Sequence, residues 1–294
     1  MKKLIVNKID LVNNLNIITS IIGDKTNIIA VVKANGMGLD LIQYAEFLIN
    51  NGIDMLAVAN VEEAIKLRQA GIEKDILMLS EVNLAKDLEL LIKNNIILTI
   101  GSSDEMDLIK QISNELETNA KVHLKIDTGF ARYGFLYTEP NKILDIIKIE
   151  ENVQIVGMYT HFSKSTDEKW TRLQFKRFCE CVEIVKEFLK TENINNDLIC
   201  HCCNTTAALK YSDMRLDAVR IGSGIQGRVL KEFLNLKLKK IGILETKIIK
   251  IKELPKDYNV SYSNEYRTKR KTTIAVIPVR IYGWHKCKKS KRYL

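Results

Sequence analysis

Eight short apolar runs, at residues 28–32, 55–59, 76–79, 96–100, 122–126, 155–159, 198–200 and 218–221, punctuate the chain, with amphipathic stretches between them. The runs are apolar on consecutive residues, which suits strands buried on both faces, as in a parallel sheet covered by helices. The segments between them carry the complementary signature. In residues 61–70 (VEEAIKLRQA), Ala64, Ile65 and Leu67 are set against charged neighbours, and Gly71 follows as a helix stop. Eight strand–helix units over about 230 residues predict an α/β protein built on a (β/α)8 barrel of the TIM type. An open, doubly wound sheet is the alternative, because a linear pattern does not reveal closure.

Composition narrows the class without changing the fold. Apolar residues make up 46% of the 294 and charged residues 28%, an ordinary globular balance, and no apolar stretch is long enough to span a bilayer. The opening MKKLIVNK breaks into charge too early for a secretory core, so a cytoplasmic protein is expected. The six cysteines are then expected as thiols. Cys200, Cys202 and Cys203 flank His201, but a zinc site needs a second pair, and Cys179 and Cys181 lie in a helical stretch; no metal is expected. The net charge of +9 is concentrated at one end: ten of the 45 basic residues and none of the 36 acidic ones fall between Arg267 and Leu294. That distribution reads as a solvated basic tail on a nearly neutral body, with neither nucleic acid nor membrane as partner.

A barrel places its chemistry at the C-terminal ends of its strands. Lys33 ends the first run, where a buried strand gives way to the flexible Ala34-Asn35-Gly36-Met37-Gly38, and an amine partly desolvated there is suited to Schiff-base formation. Lys125, Asp127 and Arg132 end or follow the fifth run, His161 the sixth, His201, Asn204 and Thr205 the seventh, and Arg220, Gly222 and Ser223 the eighth. Taken singly, His161 reads as a core histidine, Arg220 as an ion pair and Asn204 as a cap. Taken together, five strands offering polar groups to one rim exceed what packing requires. The small residues of Asn204-Thr205-Thr206-Ala207 and Gly222-Ser223-Gly224 suit a phosphate. A phosphate site, a Schiff-base lysine and a histidine between them describe a pocket for pyridoxal 5′-phosphate.

These residues lie in motifs that resemble the alanine racemase family: AVVKAN at 30–35, VHLKIDTGFARYGF at 122–135, GMYTHFS at 157–163, HCCNTTAAL at 201–209 and DAVRIGSGIQG at 217–227. The resemblance implies a barrel over residues 1–230 and an incomplete, mostly β C-terminal domain over 231–294. It implies that Lys33 carries the cofactor and acts as one acid–base group, that His161 stacks on the pyridine ring, and that Asn204, Thr205, Gly222 and Ser223 contribute to the cofactor and phosphate site. Arg220 would face the ring nitrogen and Arg132 the phenolic oxygen, with Lys125, carbamylated in many family members, orienting Arg132. The second base would be Tyr262, in the Val260-Ser261-Tyr262 motif, supplied across a homodimer. The implied activity is racemisation of a free amino acid, most directly alanine; a non-catalytic cofactor-binding barrel is the alternative, and residues 243–279 argue against it.

The departures are specific. Gly36-Met37-Gly38-Leu39-Asp40 stands where the family has Ala-Tyr-Gly-His-Gly, removing a hydroxyl directed at phosphate. Ile221 replaces a proline and Gln226 a tyrosine. After residues 274–279 the family continues Gly-Tyr-x-Asp-Gly, whereas this chain reads Arg280-Ile281-Tyr282-Gly283-Trp284. One adenine inserted before codons for Gly-Tyr-Met-Asp-Gly yields that reading, so residues 280–294 are expected to be shifted-frame translation. Strands at 244–254 and 272–279 are expected to be left with unpaired edges.

Overall fold

The apolar runs all become strands, and all of them pair in parallel. In the computed structural model, which describes residues 2–147, 152–194, 197–261 and 264–278, β1 (Lys2–Val6) precedes the runs. They follow as β2 (Asn27–Val31), β3 (Met55–Val58), β4 (Asp75–Met78), β5 (Leu98–Ile100), β6 (Ala120–Asp127), β8 (Val153–Tyr159), β9 (Ile199–His201) and β10 (Ala218–Ile221). The two-residue β7 (Phe135–Leu136) pairs in parallel beside the end of β6. Their order is β4-β3-β2-β10-β9-β8-β6-β5. The ends of this path meet: Leu77 of β4 bridges Ile97, beside β5, with Met78 N–H donating to Ile97 O at 2.8 Å and Ile97 N–H to Ile76 O at 2.9 Å. The sheet is therefore a barrel, and the open-sheet alternative falls away.

Local sequence explains the connections. Asn60 caps the Val61–Gln69 helix by accepting from Glu63 N at 2.8 Å. Ser102 and Glu105 form a reciprocal capping box on Ser103–Glu115, which satisfies donors the first helical turn would leave bare.

Alternation along the strands divides the barrel interior. On one side Ile29, Met55, Ala57, Leu77, Ile97 and Ala218 form a buried apolar cluster. On the other, Thr99, His123, Lys125, Tyr159, His201 and Arg220 are buried on β5, β6, β8, β9 and β10. The consecutive apolar runs thus conceal a second, polar register in the later strands.

The chain divides into two compact units. One is Lys8–Lys240, which holds the barrel, and the other draws its described residues from Met1–Asn7 and Ile241–Leu294. In the smaller unit β1 pairs antiparallel with β11 (Gly242–Thr246), from Lys2↔Thr246 to Val6↔Gly242. There β12 (Lys250–Leu254) pairs with β15 (Thr272–Val276), and β13 (Asn259–Val260) with β14 (Tyr266–Arg267). Among the described residues each of these sheets has only two strands, so every strand keeps one unpaired edge, as expected. Residues 244–254 are two strands rather than one, and both find hydrogen-bonded neighbours, one of them supplied by the N-terminal Leu4-Ile5-Val6 run. Apolar side chains there nevertheless remain open, with Ile243 60%, Ile249 61% and Ile251 65% exposed. Tyr262 and residues 279–294, including the basic tail and the sequence read as frame-shifted, lie outside the described residues. Among the described residues no helix is long and apolar enough to cross a membrane.

Candidate active site

At the C-terminal mouth of the barrel a cavity of about 660 Å³ is lined by residues from seven of the eight strands or the loops that follow them. Its volume is in the range of small-molecule sites. The lining includes Lys33, Lys125, Arg132, His161, Asn204, Thr205, Arg220, Gly222 and Ser223; of the rim candidates in the larger unit only Asp127 and His201 do not line it, both being buried behind it. Tyr262 lies outside the described residues.

Lys33 enters from an unusual segment. Residues 34–38 all have positive φ (Ala34 57°, Asn35 53°, Gly36 65°, Met37 53°, Gly38 90°), a left-handed turn directly after the lysine. L-residues resist this winding, and the turn is held from outside. Asn35 N–H donates to Glu63 Oε1 at 2.9 Å, Leu41 N–H to the Asn35 side-chain oxygen at 3.1 Å, and Gln226 Nε2 to Gly36 O at 3.4 Å. At Gly36 a Cβ would meet Leu41 N and Cα at 3.2 Å, so both conformation and space call for glycine. Lys33 itself is exposed in the cavity. The expected partial desolvation is not present, because the covered strand ends at Val31 and the lysine stands beyond it.

The floor is set by Arg220, buried without a carboxylate. Its Nη1 donates to His201 Nδ1 at 2.5 Å and to His201 O at 3.2 Å; its Nη2 donates to Thr160 O at 2.7 Å, Cys202 O at 3.1 Å and His161 Nδ1 at 3.2 Å. Of the five guanidinium N–H groups, these bonds engage those on Nη1 and Nη2 and do not use Nε–H. Burial lowers the Arg220 pKa from its ordinary value, yet a guanidinium remains a cation in any protein interior. The bland reading of Arg220 as a rim ion pair is thereby replaced: among the described residues no carboxylate contacts it.

That cation sets the titration of its neighbours. Burial first, then Arg220, Lys125, Arg132 and Lys33, push His161 down to about 3, so its ring is neutral. Burial, Arg220 and Arg132 push Lys125 down to about 7. Lys125 Nζ lies 4.7 Å from the Tyr159 ring centroid and Arg220 Cζ lies 5.1 Å from it. Arg132 is placed by Asp127, whose carboxylate accepts from the backbone N–H groups of Gly129, Phe130, Ala131 and Arg132 at 2.8 to 3.3 Å. These four donors outweigh burial and hold Asp127 below the usual carboxylate range. The His161 loop is tied by Thr128 Oγ1 to Thr160 Oγ1 at 2.8 Å and by Ser163 N–H to Gln174 Oε1 at 3.0 Å. Asn204 caps Thr205–Lys210 through Ala207 N–H at 3.1 Å and also receives Ser165 Oγ; its cap role and its place in the lining coexist.

Sequence reasoning missed Met37, Glu81, Tyr133 and Tyr159 in the lining, and His123 beneath it. The signal was available for His123: in Val122-His123-Leu124-Lys125-Ile126-Asp127 every second residue is polar, and strand periodicity puts those three on one face. Tyr159 has no comparable marker, since an aromatic in an apolar run reads as core. Glu81 is the single carboxylate of the lining and is exposed. The five described cysteines are free thiols; Cys202 and Cys203 Sγ contact Met214 O at 3.0 and 3.2 Å, and Cys287 is outside the described residues.

Comparison with known proteins places this geometry. Residues 6–228 match the alanine racemase N-terminal domain family and residues 242–283 the alanine racemase C-terminal domain family. The chain is 37% identical over 276 residues to an alanine racemase of Clostridium perfringens, covering 91% of this chain and 69% of that protein. It is 34% identical over 275 residues to alanine racemase 2 of Oceanobacillus iheyensis, covering 91% and 67%. Among solved structures, alanine racemase of Clostridium difficile 630 superposes with a TM-score of 0.81 at 30% identity, covering 95% of this chain and 73% of that one. Alanine racemase of Bacillus anthracis with bound L-Ala-P gives 0.80 at 28%, covering 94% and 72%. On domain matches that run from residue 6 to residue 283 and on identities above 30%, the chain belongs to the alanine racemase family.

Proposed function

We propose that this protein interconverts L- and D-alanine with pyridoxal 5′-phosphate, as a cytoplasmic homodimer, using Lys33 and Tyr262 of the partner subunit as its two acid–base groups. The observation that carries the reading is that Lys33 shares one cavity with His161, Arg132 and Arg220. The donor set suits the cofactor. Arg132 and Arg220 bring positive charge to the cavity for a phosphate and a substrate carboxylate, with Lys125, pushed down to about 7, only partly charged beside them, against the exposed Glu81. Gly222 leaves no room for a side chain toward its neighbours, since a Cβ would stand 3.1 Å from Met37 Sδ and 3.3 Å from Val31 Cβ.

Pyridoxal 5′-phosphate, when bound, supplies the electron-withdrawing ring that acidifies the α C–H of an attached amino acid. Lys33 would hold it covalently and move a proton at the substrate Cα on one face. Tyr262 would do so on the opposite face, since a single base returns the proton to the side it left. His161, neutral and flat, would cover the ring, while Thr205, Gly222 and Ser223 hold the phosphate with Asn204 beside them. Arg132, tethered through Asp127 and neighboured by Lys125, would orient the phenolic oxygen. Arg220 would meet the ring nitrogen through Nε–H without giving up its proton, which limits electron withdrawal and favours plain reprotonation over side reactions.

The test is α-proton exchange of L- and D-alanine in D₂O with added cofactor. Lys33→Ala should abolish exchange and the bound-cofactor absorbance together. Tyr262→Phe should impair exchange from one enantiomer far more than from the other, and equal loss would remove the two-base assignment. Absorbance that depends on Lys33 without exchange of either enantiomer would mark a binding protein instead.

A further inference from the structure

Behind Arg220, on the side away from the cavity, a row of two histidines runs into the barrel. His201 Nδ1 receives Arg220 Nη1–H, and His201 Nε2 lies 3.0 Å from His123 Nδ1. Both rings are fully buried, and His201 lies 4.9 Å from Tyr159 with planes 8° apart. A guanidinium only donates, so His201 Nδ1 must be the acceptor. The proton of a neutral His201 therefore sits on Nε2, and that N–H needs an acceptor in a place water does not reach. His123 Nδ1 is that acceptor, which leaves the His123 proton on Nε2, and His123 Nε2 is buried without a partner. A buried N–H left unsatisfied is a cost the fold carries. It is explained if His123 is kept for its other nitrogen.

The neighbouring strand is built around that ring. The β6–β8 pairing slips by one residue between Val122 and His123, so that His123 pairs with Gly157. A Cβ on Gly157 would fall 2.6 Å from both His123 Cε1 and Nε2. A bulge and a glycine thus clear the volume the imidazole occupies, as bulges beside active sites re-aim side chains. Burial and Arg220 lower the pKa of both rings, His123 to about 3, which keeps the row neutral.

We infer that His123 is a positioning residue: by accepting the Nε2–H that the Arg220 bond imposes on His201 it anchors that ring, and so holds the guanidinium with Nε–H directed to the cofactor's ring nitrogen. The last step rests on the function proposed above; the tautomer does not. The chain holds four histidines, His123, His161, His201 and His285, so a full-length sample labelled with ¹⁵N-histidine gives four imidazole patterns. Before cofactor is added, His201 should show its proton on Nε2. In His123→Phe that Nε2–H loses its acceptor, and its resonance should shift. With pyridoxal 5′-phosphate, the same variant should shift the absorption maximum of the bound cofactor and lower kcat by about a hundredfold with little change in KM, the scale expected of a displaced reacting group. His123→Asn, whose side-chain oxygen can replace Nδ1 as acceptor, should recover most of the spectrum and rate.

A wild-type His201 carrying its proton on Nδ1 would overturn the inference. So would an unshifted His201 Nε2–H resonance in His123→Phe, or a His123→Asn protein as impaired as the Phe variant. If the Phe variant does not fold, the wild-type tautomer and the Asn variant still decide. Loss of the functional reading is seen separately, as cofactor absorbance that does not depend on Lys33.

Discussion

Tyr159 lies flat against His201, ring centroids 4.9 Å apart, while its hydroxyl bonds Thr99 Oγ1 at 3.0 Å. The same ring has Lys125 Nζ and Arg220 Cζ within 4.7 and 5.1 Å of its centroid. One aromatic therefore faces two cations: an arginine that no carboxylate contacts among the described residues, and a lysine that Asp127 also attracts. Tyr159→Phe keeps the ring, and Thr99 Oγ1 retains its bond to Met78 O at 2.6 Å, so the cost should be about 1 kcal/mol. Tyr159→Leu removes the π face as well and should cost about 3 kcal/mol. Urea unfolding of both variants checks the difference, and equal losses would show that the cations do not use the ring.

Lys125 makes stability depend on pH in the neutral to alkaline range. Its pKa falls from 10.5 to about 7 on folding, through burial and then Arg220 and Arg132. Between those values the unfolded chain binds more protons than the native one, so stability rises with pH across the window, and the penalty is complete below about pH 7. In Lys125→Met the slope of unfolding free energy between pH 7 and pH 10 should be shallower than in wild type. Parallel curves would show that the lysine is not depressed.

On the acid side the sign follows from His161. Its pKa is lowered to about 3, chiefly by burial and Arg220. Below the ordinary histidine value of 6.5 the unfolded chain takes up a proton that the native ring refuses, so stability falls as pH drops from there toward 3. His161→Phe should be less acid-sensitive than wild type between pH 6 and pH 4. His161 should also show no imidazole titration in ¹⁵N spectra over the same range.

Asp127 organises the loop that carries Arg132 through four backbone N–H groups. Asp127→Ala leaves those donors without their acceptor and should cost about 3 kcal/mol, with Asp127→Asn intermediate. Affinity for pyridoxal 5′-phosphate, followed by absorbance, should fall in the Ala variant because Arg132 loses its tether. An unchanged affinity would detach Arg132 from the cofactor site.

The barrel was readable because its signal is local and repeated. β10 spans the expected residues 218–221, and the Val61–Gln69 helix starts where the pattern places it. Strand ends moved where a polar residue belongs to the strand: β9 runs on to His201 and β6 to Asp127, since an inward polar side chain in a closed barrel interrupts the apolar run without ending the hydrogen bonding. Pairing of β1 with β11 was invisible, because the partners are more than two hundred positions apart and neither marks the other. At the site, Lys33, Arg132, His161, Arg220 and the two small-residue loops stood at strand exits and could be named. The His201–His123 row could not, because its meaning lies in which nitrogen faces which, and the left-handed turn was announced only by Gly36 and Gly38.

That turn has a consequence for how the sequence can change. Ala34, Asn35 and Met37 are wound the mirror-image way, so a glycine at Ala34 or Met37 should raise thermal stability, by roughly 1 kcal/mol each. Selection for folding alone would install those glycines and, with them, a looser hinge under the amine. The side chains at these two places thus give Lys33 a stiffer mount than glycines would, at the expense of the melting point.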